Sequence, residues 1–167
     1  AVPMTMRSGE DVETIEGGYV HEMQSGLFHW VLTLDFRSMY PSMIISKNIC
    51  FTTLHPEGTV ISPTGAKFLD KSVREGLLPR ILMRLMDERA ATKKAMKEAQ
   101  TPDEKDYYNG LQEAIKILMN SFYGVLASSF YRFTDPKIGA SITAFAREAT
   151  KDLIRKLEAE NLKVIYS

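Results

Sequence analysis

The sequence has few of the features that mark specialised protein classes. It contains a single cysteine, Cys50, which excludes an internal disulfide framework and a cysteine-rich zinc site. Its longest apolar runs are a few residues, far short of the roughly 20 that cross a bilayer. Residues 1–11 lack the apolar centre of a signal peptide. We therefore expect no membrane partner, and a location in the cytoplasm, or in the nucleus if the source is eukaryotic.

An excess of charge of one sign is also missing. The 21 Lys and Arg residues balance 21 Asp and Glu residues, so the formal net charge is zero. This balance excludes a strongly basic nucleic-acid-binding domain, although it leaves room for a local basic stripe. The three histidines, His21, His29 and His55, lack metal-ligand spacing. The length of 167 residues fits one globular domain or a piece of a larger protein.

Three segments have the composition of β-strands. Residues 29–36 (HWVLTLDF) are rich in β-branched and aromatic side chains and predict a strand, with Trp30 in the core. Residues 59–70 predict a hairpin, because a Ser-Pro-Thr-Gly turn separates two apolar runs. Residues 163–166 predict a terminal strand, which we expect to pair antiparallel with 30–36 at the centre of the fold.

Helical periodicity dominates the rest of the chain. The pattern predicts four helices, over 38–45, 75–99, 102–126 and 136–161. Thr101 is expected to cap the third of these, and Pro102 to occupy its first position. The short connection makes the second and third helices an antiparallel pair. The predicted fold class is therefore α+β.

Asp35 is the first candidate for chemistry, since a carboxylate at the end of an apolar strand is costly to bury unpaired. One interpretation is that Asp35 caps the helix that follows. The other is that it binds Mg²⁺, which prefers carboxylate oxygens and leaves positions open for substrate phosphates. The residue type and position alone leave both interpretations open.

A second candidate group lies on the third predicted helix. Lys116, Asn120 and Tyr123 are spaced i, i+4, i+7 and therefore share one face. On the preceding helix, Arg89 and Lys93 begin a basic stripe with the same spacing. Both groups are compatible with ordinary solvated faces. If the two helices pack together, the three cations could instead converge on a triphosphate.

At these residues the sequence resembles the family B DNA polymerases. Residues 35–43 (DFRSMYPSM) are similar to the first polymerase motif, with Met39 in place of the usual Leu. Residues 116–124 (KILMNSFYG) resemble the second motif, and Arg89 and Lys93 match the Arg and Lys pair of the finger helix. Two motifs in the family's order are more specific than either alone.

The resemblance extends towards both ends of the chain. Residues 16–20 (EGGYV) are similar to the Tyr-x-Gly-Gly element that touches template DNA in the family, with Ile15 where the Tyr belongs. Residues 164–167 (VIYS) resemble the strand that leads into the third motif, Asp-Thr-Asp, which is absent. We therefore expect a fragment that ends just before this motif.

The resemblance implies a partial polymerase palm that carries a two-helix fingers hairpin. Residues 1–73 would form the first part of the palm, 74–126 the fingers, and 127–167 the truncated second part of the palm. The expected partners are primer-template DNA, dNTP and the remaining polymerase segments, namely the third motif, the thumb and the exonuclease.

The resemblance also implies templated nucleotidyl transfer, in which a primer 3′-hydroxyl attacks a dNTP in the presence of two Mg²⁺ ions. Asp35 would bridge both ions as the matched catalytic carboxylate, and the Phe36 carbonyl would complete one coordination shell. Main-chain N–H groups of Ser38 and Met39 would face the triphosphate. Tyr40 would lie under the deoxyribose and exclude a 2′-hydroxyl.

The remaining matched residues are expected to contact the substrates. Lys116 would take part in catalysis by neutralising phosphate charge, and the other dNTP-binding side chains would be Arg89, Lys93 and Asn120. The expected contacts with the nascent base pair and the DNA are Tyr123, Gly124, Gly17 and Gly18.

Other functions fit parts of the sequence. With a single matched carboxylate, the chain is expected to be inactive without a downstream segment that supplies another. A non-catalytic nucleic-acid-binding relative of the polymerase fold would keep the motifs and lack turnover. A helical-hairpin interaction module would use the basic stripe of Arg89 and Lys93 to dock on an acidic protein, but leaves the Asp35 turn unexplained.

Overall fold

The computed structural model describes residues 15–127 and 135–167, which form an α+β arrangement. The helices are α1 Met39–Ser46, α2 Leu77–Glu98, α3 Pro102–Leu126 and α4 Pro136–Ala159, and the strands are β1 Val60–Ile61 and β2 Lys67–Phe68. All four predicted helices are confirmed to within two residues at each end. No helix in these two ranges combines the length and the apolar character that a bilayer crossing requires.

Strands β1 and β2 form the predicted hairpin. They pair antiparallel, with Val60 opposite Phe68 and Ile61 opposite Lys67. The Ser62 amide donates to the Ala66 carbonyl over 2.8 Å and closes the turn. Gly65 has a φ of 84°, a conformation that glycine adopts without the steric cost of a side chain.

The turn between α2 and α3 is fixed by the predicted cap. The Thr101 hydroxyl accepts a hydrogen bond from the Glu104 amide at 3.2 Å, and the Glu104 carboxylate accepts one from the Thr101 amide at 3.3 Å. These reciprocal bonds satisfy amides that the first helical turn leaves without partners. Pro102 occupies the first helical position, as expected. The short connection places α3 back along α2.

The hydrophobic core lies where α1 and α4 pack against the start of α2 and the later part of α3. Phe68 of β2 and Cys50 are fully buried there. The remaining buried apolar residues of this cluster are Ile44, Ile49, Leu78, Leu82, Ile115, Met119, Leu126, Ile138, Ile142 and Phe145. Residues of all four helices thus contribute to one core.

Asn48 ties the hairpin to the start of α2. Its amide nitrogen donates to the carbonyls of Leu69 and Arg74, each over 2.8 Å. Its amide oxygen accepts from the Gly76 N–H at 2.9 Å, directly before α2 begins. The residue is 3% exposed, so these bonds are shielded from water while the side chain is present. One side chain therefore sets the direction in which α2 leaves the core.

The predicted strand at 29–36 is wrong. The segment has no regular secondary structure, and Trp30, expected in the core, is fully exposed. Leu32 is 76% exposed. Within the described ranges, no second strand runs alongside to accept its ladder of hydrogen bonds. Trp30 also has a φ of 61°, which breaks an extended run.

The predicted strand at 163–166 and its pairing with 30–36 are wrong as well. The terminal segment is irregular, and its backbone lies beside residues 21–24 instead. The His21 amide donates to the Ser167 carbonyl at 3.2 Å, and the Gln24 amide to the Ile165 carbonyl at 3.1 Å. Beyond the end of α4, Asn161 has a left-handed φ of 60°.

Candidate functional site

Asp35 lies in solvent immediately before the turn that leads into α1. The helix is capped by Ser38, with a left-handed φ of 48° and no side-chain cap bond, so the interpretation of Asp35 as the cap is wrong. The Ser42 hydroxyl donates to the Arg37 carbonyl at 2.9 Å and fixes the turn. The exposed carboxylate is therefore available to a ligand.

Tyr40 of α1 and Tyr123 of α3 stack on each other. Their ring centroids are 4.3 Å apart and the ring planes differ by 28°. Burial raises the pKa of Tyr123 above its ordinary value of 10.0, the neighbouring Tyr40 raises it further, and Arg147 opposes this with a lowering effect. The two sequence motifs, far apart in the chain, thus share one aromatic contact.

A segment near the start of the described chain lies close to the Tyr40 hydroxyl. A Cβ placed on Gly18 would be 3.9 Å from the Tyr40 hydroxyl oxygen. Arg147 of α4 holds the segment, donating to the carbonyls of Glu16 at 2.7 Å and Gly17 at 2.8 Å. Its guanidinium also pairs with the Glu16 carboxylate at 3.2 Å. The site thus combines α1, α3, α4 and the Gly17–Gly18 segment.

Arg147 was missed by the sequence reasoning. Its three contacts are made to residues about 130 positions away, so no local spacing in the sequence predicts them. The side chain is 16% exposed, which is low for an arginine at the end of an apolar helical stretch. Its interactions become visible only once the fold is known.

The cations of α2 and α3 are connected through polar groups of α3. Arg89 donates from Nε to the Gln112 carbonyl at 3.2 Å, and from Nη2 to the Gln112 side-chain oxygen at 3.1 Å. Lys116 pairs with Glu113 at 3.4 Å. Lys93 lies one turn beyond Arg89 and is half-buried. Gln112 and Glu113 are neighbours on α3, so these contacts connect Arg89 to Lys116. Lys93 takes no part in them.

Gln112 was also missed, although the sequence contains a signal for it. The buried stripe of α3 runs through Gln112, Ile115, Met119 and Leu126. A buried glutamine on an otherwise apolar stripe requires hydrogen-bonding partners, and one of these can come from the facing helix. Arg89 is that partner, and Gln112 is 4% exposed. A polar residue at a core position of a predicted helical pair is therefore worth testing as a link between helices.

The other predicted site residues of α3 lie at its C-terminal end. Asn120 and Gly124 are exposed, and a Cβ built on Gly124 would meet no atom within 4 Å. On α1, Met39 is half-buried, as are Ser38 and Phe36 just before it. Open space therefore lies next to the stacked tyrosines at Gly124.

The described residues contain no cluster of side chains that could hold a metal ion by themselves. No group of three or more His, Cys, Asp or Glu side chains that could hold an ion occurs in 15–127 or 135–167. The Asp35 carboxylate and the Phe36 carbonyl are suitable oxygen donors for Mg²⁺. On their own they would supply only part of an ion's coordination shell.

Comparison with known proteins identifies the family. The model for DNA polymerase family B matches residues 2–166, nearly the entire chain. The chain belongs to the family B DNA polymerases. The resemblance to this family, drawn from residues 35–43 and 116–124, is thereby confirmed.

Individual relatives support the same family assignment. The family B chain is 39% identical over 158 residues to DNA polymerase 1 of Pyrococcus abyssi, which covers 92% of this chain and 20% of the relative. It is 34% identical to the DNA polymerase delta catalytic subunit of Arabidopsis thaliana, covering 92% of this chain and 15% of that protein. The chain spans about a fifth or less of the curated relatives it matches.

A solved structure shares the fold. The family B DNA polymerase from the archaeon Pyrobaculum calidifontis aligns with a TM-score of 0.74 at 29% sequence identity. The alignment covers 98% of this chain and 22% of that structure. The fold of this family B chain is therefore that of a part of a much longer polymerase.

Proposed function

We propose that the chain forms part of the active site of a DNA-directed DNA polymerase, which adds dNTPs to a primer 3′-hydroxyl as the template directs. The observation that carries this proposal is the stacking of Tyr40 on Tyr123 at 4.3 Å in a family B chain. It brings the first and second motifs together, as a shared nucleotide site requires.

In this proposal the α2–α3 pair, within residues 74–126, forms the fingers. The segments before and after it, 1–73 and 127–167, form the two parts of the palm. The capped turn and the Arg89–Gln112 bonds make the helical pair a stiff unit. Such a unit can close over a nucleotide as one body.

The incoming nucleotide would lie against α1 and the ring pair. The backbone N–H groups of Ser38 and Met39 would face the triphosphate, since a turn at a helix start presents amides to anions. Tyr40 would lie beneath the deoxyribose. Because Tyr123 supports its ring, Tyr40 cannot move aside easily, and a 2′-hydroxyl would be excluded sterically.

Cations from both long helices would bind the phosphates. Lys116 would neutralise charge that develops during the transfer step, together with Arg89 and Lys93. Arg89 donates two of its five N–H groups to Gln112, which leaves three that can donate to phosphate oxygens. Asn120, one turn beyond Lys116, would donate to the triphosphate.

The nucleic acid would contact the open end of α3 and the segment held by Arg147. Tyr123 and Gly124 would face the nascent base pair, and the missing side chain at Gly124 would allow close approach. Gly17 and Gly18 would contact the template strand.

Asp35 and the Phe36 carbonyl would hold Mg²⁺. Two bound ions stabilise the attacking and leaving oxygens of such a transfer. Since the described residues provide only part of the donor set, we propose that other segments of a longer polymerase supply the remaining carboxylate, the thumb and the exonuclease. The chain alone would therefore not extend a primer.

Nucleotide binding tests the proposal directly. Titration of the 167-residue chain with dNTP in the presence of Mg²⁺ should give saturable binding. Lys116→Ala should weaken it about tenfold or more, because a hydrogen bond to a charged group contributes roughly 1.5–3 kcal/mol. Lys105→Ala, an exposed lysine on the same helix, is the control. Equal affinity of Lys116→Ala and the wild-type chain would contradict the proposal and favour a non-catalytic DNA binder.

Primer extension tests the need for further segments. The chain alone should leave a labelled primer unchanged, whereas a longer polymerase that contains it should extend the primer. In the longer protein, Asp35→Asn should abolish extension while the folded structure remains intact. Efficient extension by the 167 residues alone would contradict the proposed dependence on other segments.

A further inference from the structure

A chain of polar contacts runs between the two cations proposed to bind phosphate. It begins at Arg89, which donates to the side-chain oxygen of Gln112 at 3.1 Å. The amide nitrogen of Gln112 donates to Glu113 Oε1 at 2.9 Å. The other carboxylate oxygen of Glu113 accepts from Lys116 Nζ at 3.4 Å. The Glu113 carboxylate thus interacts directly with Lys116 and, through Gln112, with Arg89.

The two parts of this chain differ in their exposure. Gln112 is 4% exposed and makes two bonds to Arg89, so the guanidinium is held firmly. The Glu113 and Lys116 side chains are 46% and 48% exposed. An exposed ion pair is weak and exchanges its partner at little cost. Lys116 can therefore leave Glu113 without disturbing the Arg89–Gln112 contact.

The charge state of Glu113 agrees with this arrangement. Hydrogen bonds from Gln112 and then from Lys116 hold the pKa of Glu113 below its ordinary value of 4.5, and the positive charges of Lys116 and Arg89 add to the effect. At neutral pH the carboxylate is therefore ionised, and it attracts the same cations that a triphosphate would need.

We propose that Glu113 is an internal counter-ion that occupies Lys116 while no nucleotide is bound, and that the triphosphate must displace it. In this scheme Gln112 is a positioning residue, which keeps Arg89 in place while Lys116 changes partner. The inference rests on the proposed function and adds a competing anion within the same site. Glu113 lowers nucleotide affinity because it competes for Lys116 and repels phosphate charge.

Glu113→Gln tests the competition. The amide keeps an oxygen that can accept from Gln112 but removes the negative charge. Exposed ion pairs are worth up to about 1 kcal/mol, so affinity of the chain for Mg²⁺-dNTP should rise about twofold to fivefold. The gain should shrink as NaCl is added, because salt screens exposed charges. A merely structural role for Glu113 would produce no such salt-dependent gain.

Glu98→Gln is the matched control. Glu98 pairs with Lys94 on the exposed surface of α2, and its side chain is 66% exposed. Its replacement removes the same charge and the same kind of pair, and should leave dNTP affinity unchanged. In a Lys116→Ala background, Glu113→Gln should give a much smaller gain in dNTP affinity. The lysine for which Glu113 and the triphosphate compete is then absent.

The outcomes separate this inference from the function on which it rests. If the wild-type chain binds dNTP and Glu113→Gln binds equally or more weakly, the counter-ion role is wrong and the proposed function stands. If Glu98→Gln gains as much as Glu113→Gln, the effect is one of net charge and the inference also fails. If neither the wild-type chain nor Glu113→Gln binds dNTP, the proposed function fails and the inference fails with it. Helix content and thermal melting of each variant establish that the proteins compared are folded.

Discussion

The ring of Tyr40 lies on the ring of Tyr123, with their centroids 4.3 Å apart. This contact joins a helix of eight residues to the C-terminal part of a helix of 25 residues. Both side chains also pack against the hydrophobic core. The position of the Tyr40 ring therefore depends on α3, and a substitution at Tyr123 should alter the packing of Tyr40.

A double-mutant cycle measures this dependence. Tyr40→Ala and Tyr123→Ala should each destabilise the protein, and their effects should be less than additive by about 0.5–1.5 kcal/mol, the usual worth of a stacked aromatic pair. Urea unfolding of the wild type, both single variants and the double variant gives the coupling. Tyr107→Ala, which removes a ring that is 67% exposed, is the control. Strict additivity would show that the stacking contributes nothing.

Asn48 should be among the most sensitive polar positions. Asn48→Ala leaves the Gly76 amide and two carbonyls without their buried partner. Each unsatisfied group costs about 1–3 kcal/mol, reduced where water can enter, so we expect a loss of at least about 2 kcal/mol in the free energy of unfolding. Ser46→Ala, close by but exposed, should change stability by less than about 0.5 kcal/mol. A loss at Asn48 no greater than this control would contradict the structural role.

Arg147 should control the local order of the Gly17–Gly18 segment. Arg147→Ala removes hydrogen bonds to the Glu16 and Gly17 carbonyls and a charge pair with Glu16. Hydrogen bonds to charged groups contribute about 1.5–3 kcal/mol, so local opening should become about tenfold or more frequent. Cleavage after Glu16 by a glutamate-specific protease measures this opening.

The matched control for Arg147 lies on the same helix. Arg155→Ala removes an exposed arginine that pairs with Asp152 on α4. It should leave cleavage after Glu16 at the wild-type rate. Equal acceleration by both variants would indicate a general loosening of α4 and not release of the segment.

The stability of the protein should depend on the ionisation of Glu113. Because hydrogen bonds lower its pKa in the folded state, its contribution is fully present above pH 4.5 and is lost as pH falls through the lowered value. Glu113→Gln should therefore lose less stability on acidification than the wild type. The midpoint of urea unfolding, measured from pH 6 downwards, gives the comparison.

Asp70 provides an internal reference for that experiment. The backbone amide of Ser72 lowers the pKa of Asp70 below its ordinary value of 3.8, and the substitution at Glu113 leaves this contact in place. Some acid sensitivity should therefore remain in Glu113→Gln. Identical acid dependence of the two proteins would contradict the contribution assigned to Glu113.

Local sequence signals predicted much of the fold. The Thr101 cap and Pro102 predicted where α3 begins, and the turn at Ser62–Gly65 predicted the hairpin. Such signals succeed because a capping bond or a turn involves residues only a few positions apart. The two motifs likewise predicted the family, which the comparison confirmed.

The failures concern segments whose structure depends on distant partners. Residues 29–36 have the composition of a strand, but a strand forms only when another strand bonds to its edge, and none does so in the described ranges. The contacts of Arg147 with Glu16 and Gly17 are equally long-range. The roles assigned to Asp35 and to the cations remain predictions for the experiments above.

The capped turn at Thr101 has a consequence for how the molecule assembles. The two helices it joins follow each other in the chain with only a short connection between them, so little loop entropy is lost when they associate. Local pairings of this kind form rapidly. The α2–α3 pair should thus form early during folding, before α1 and α4 pack against it.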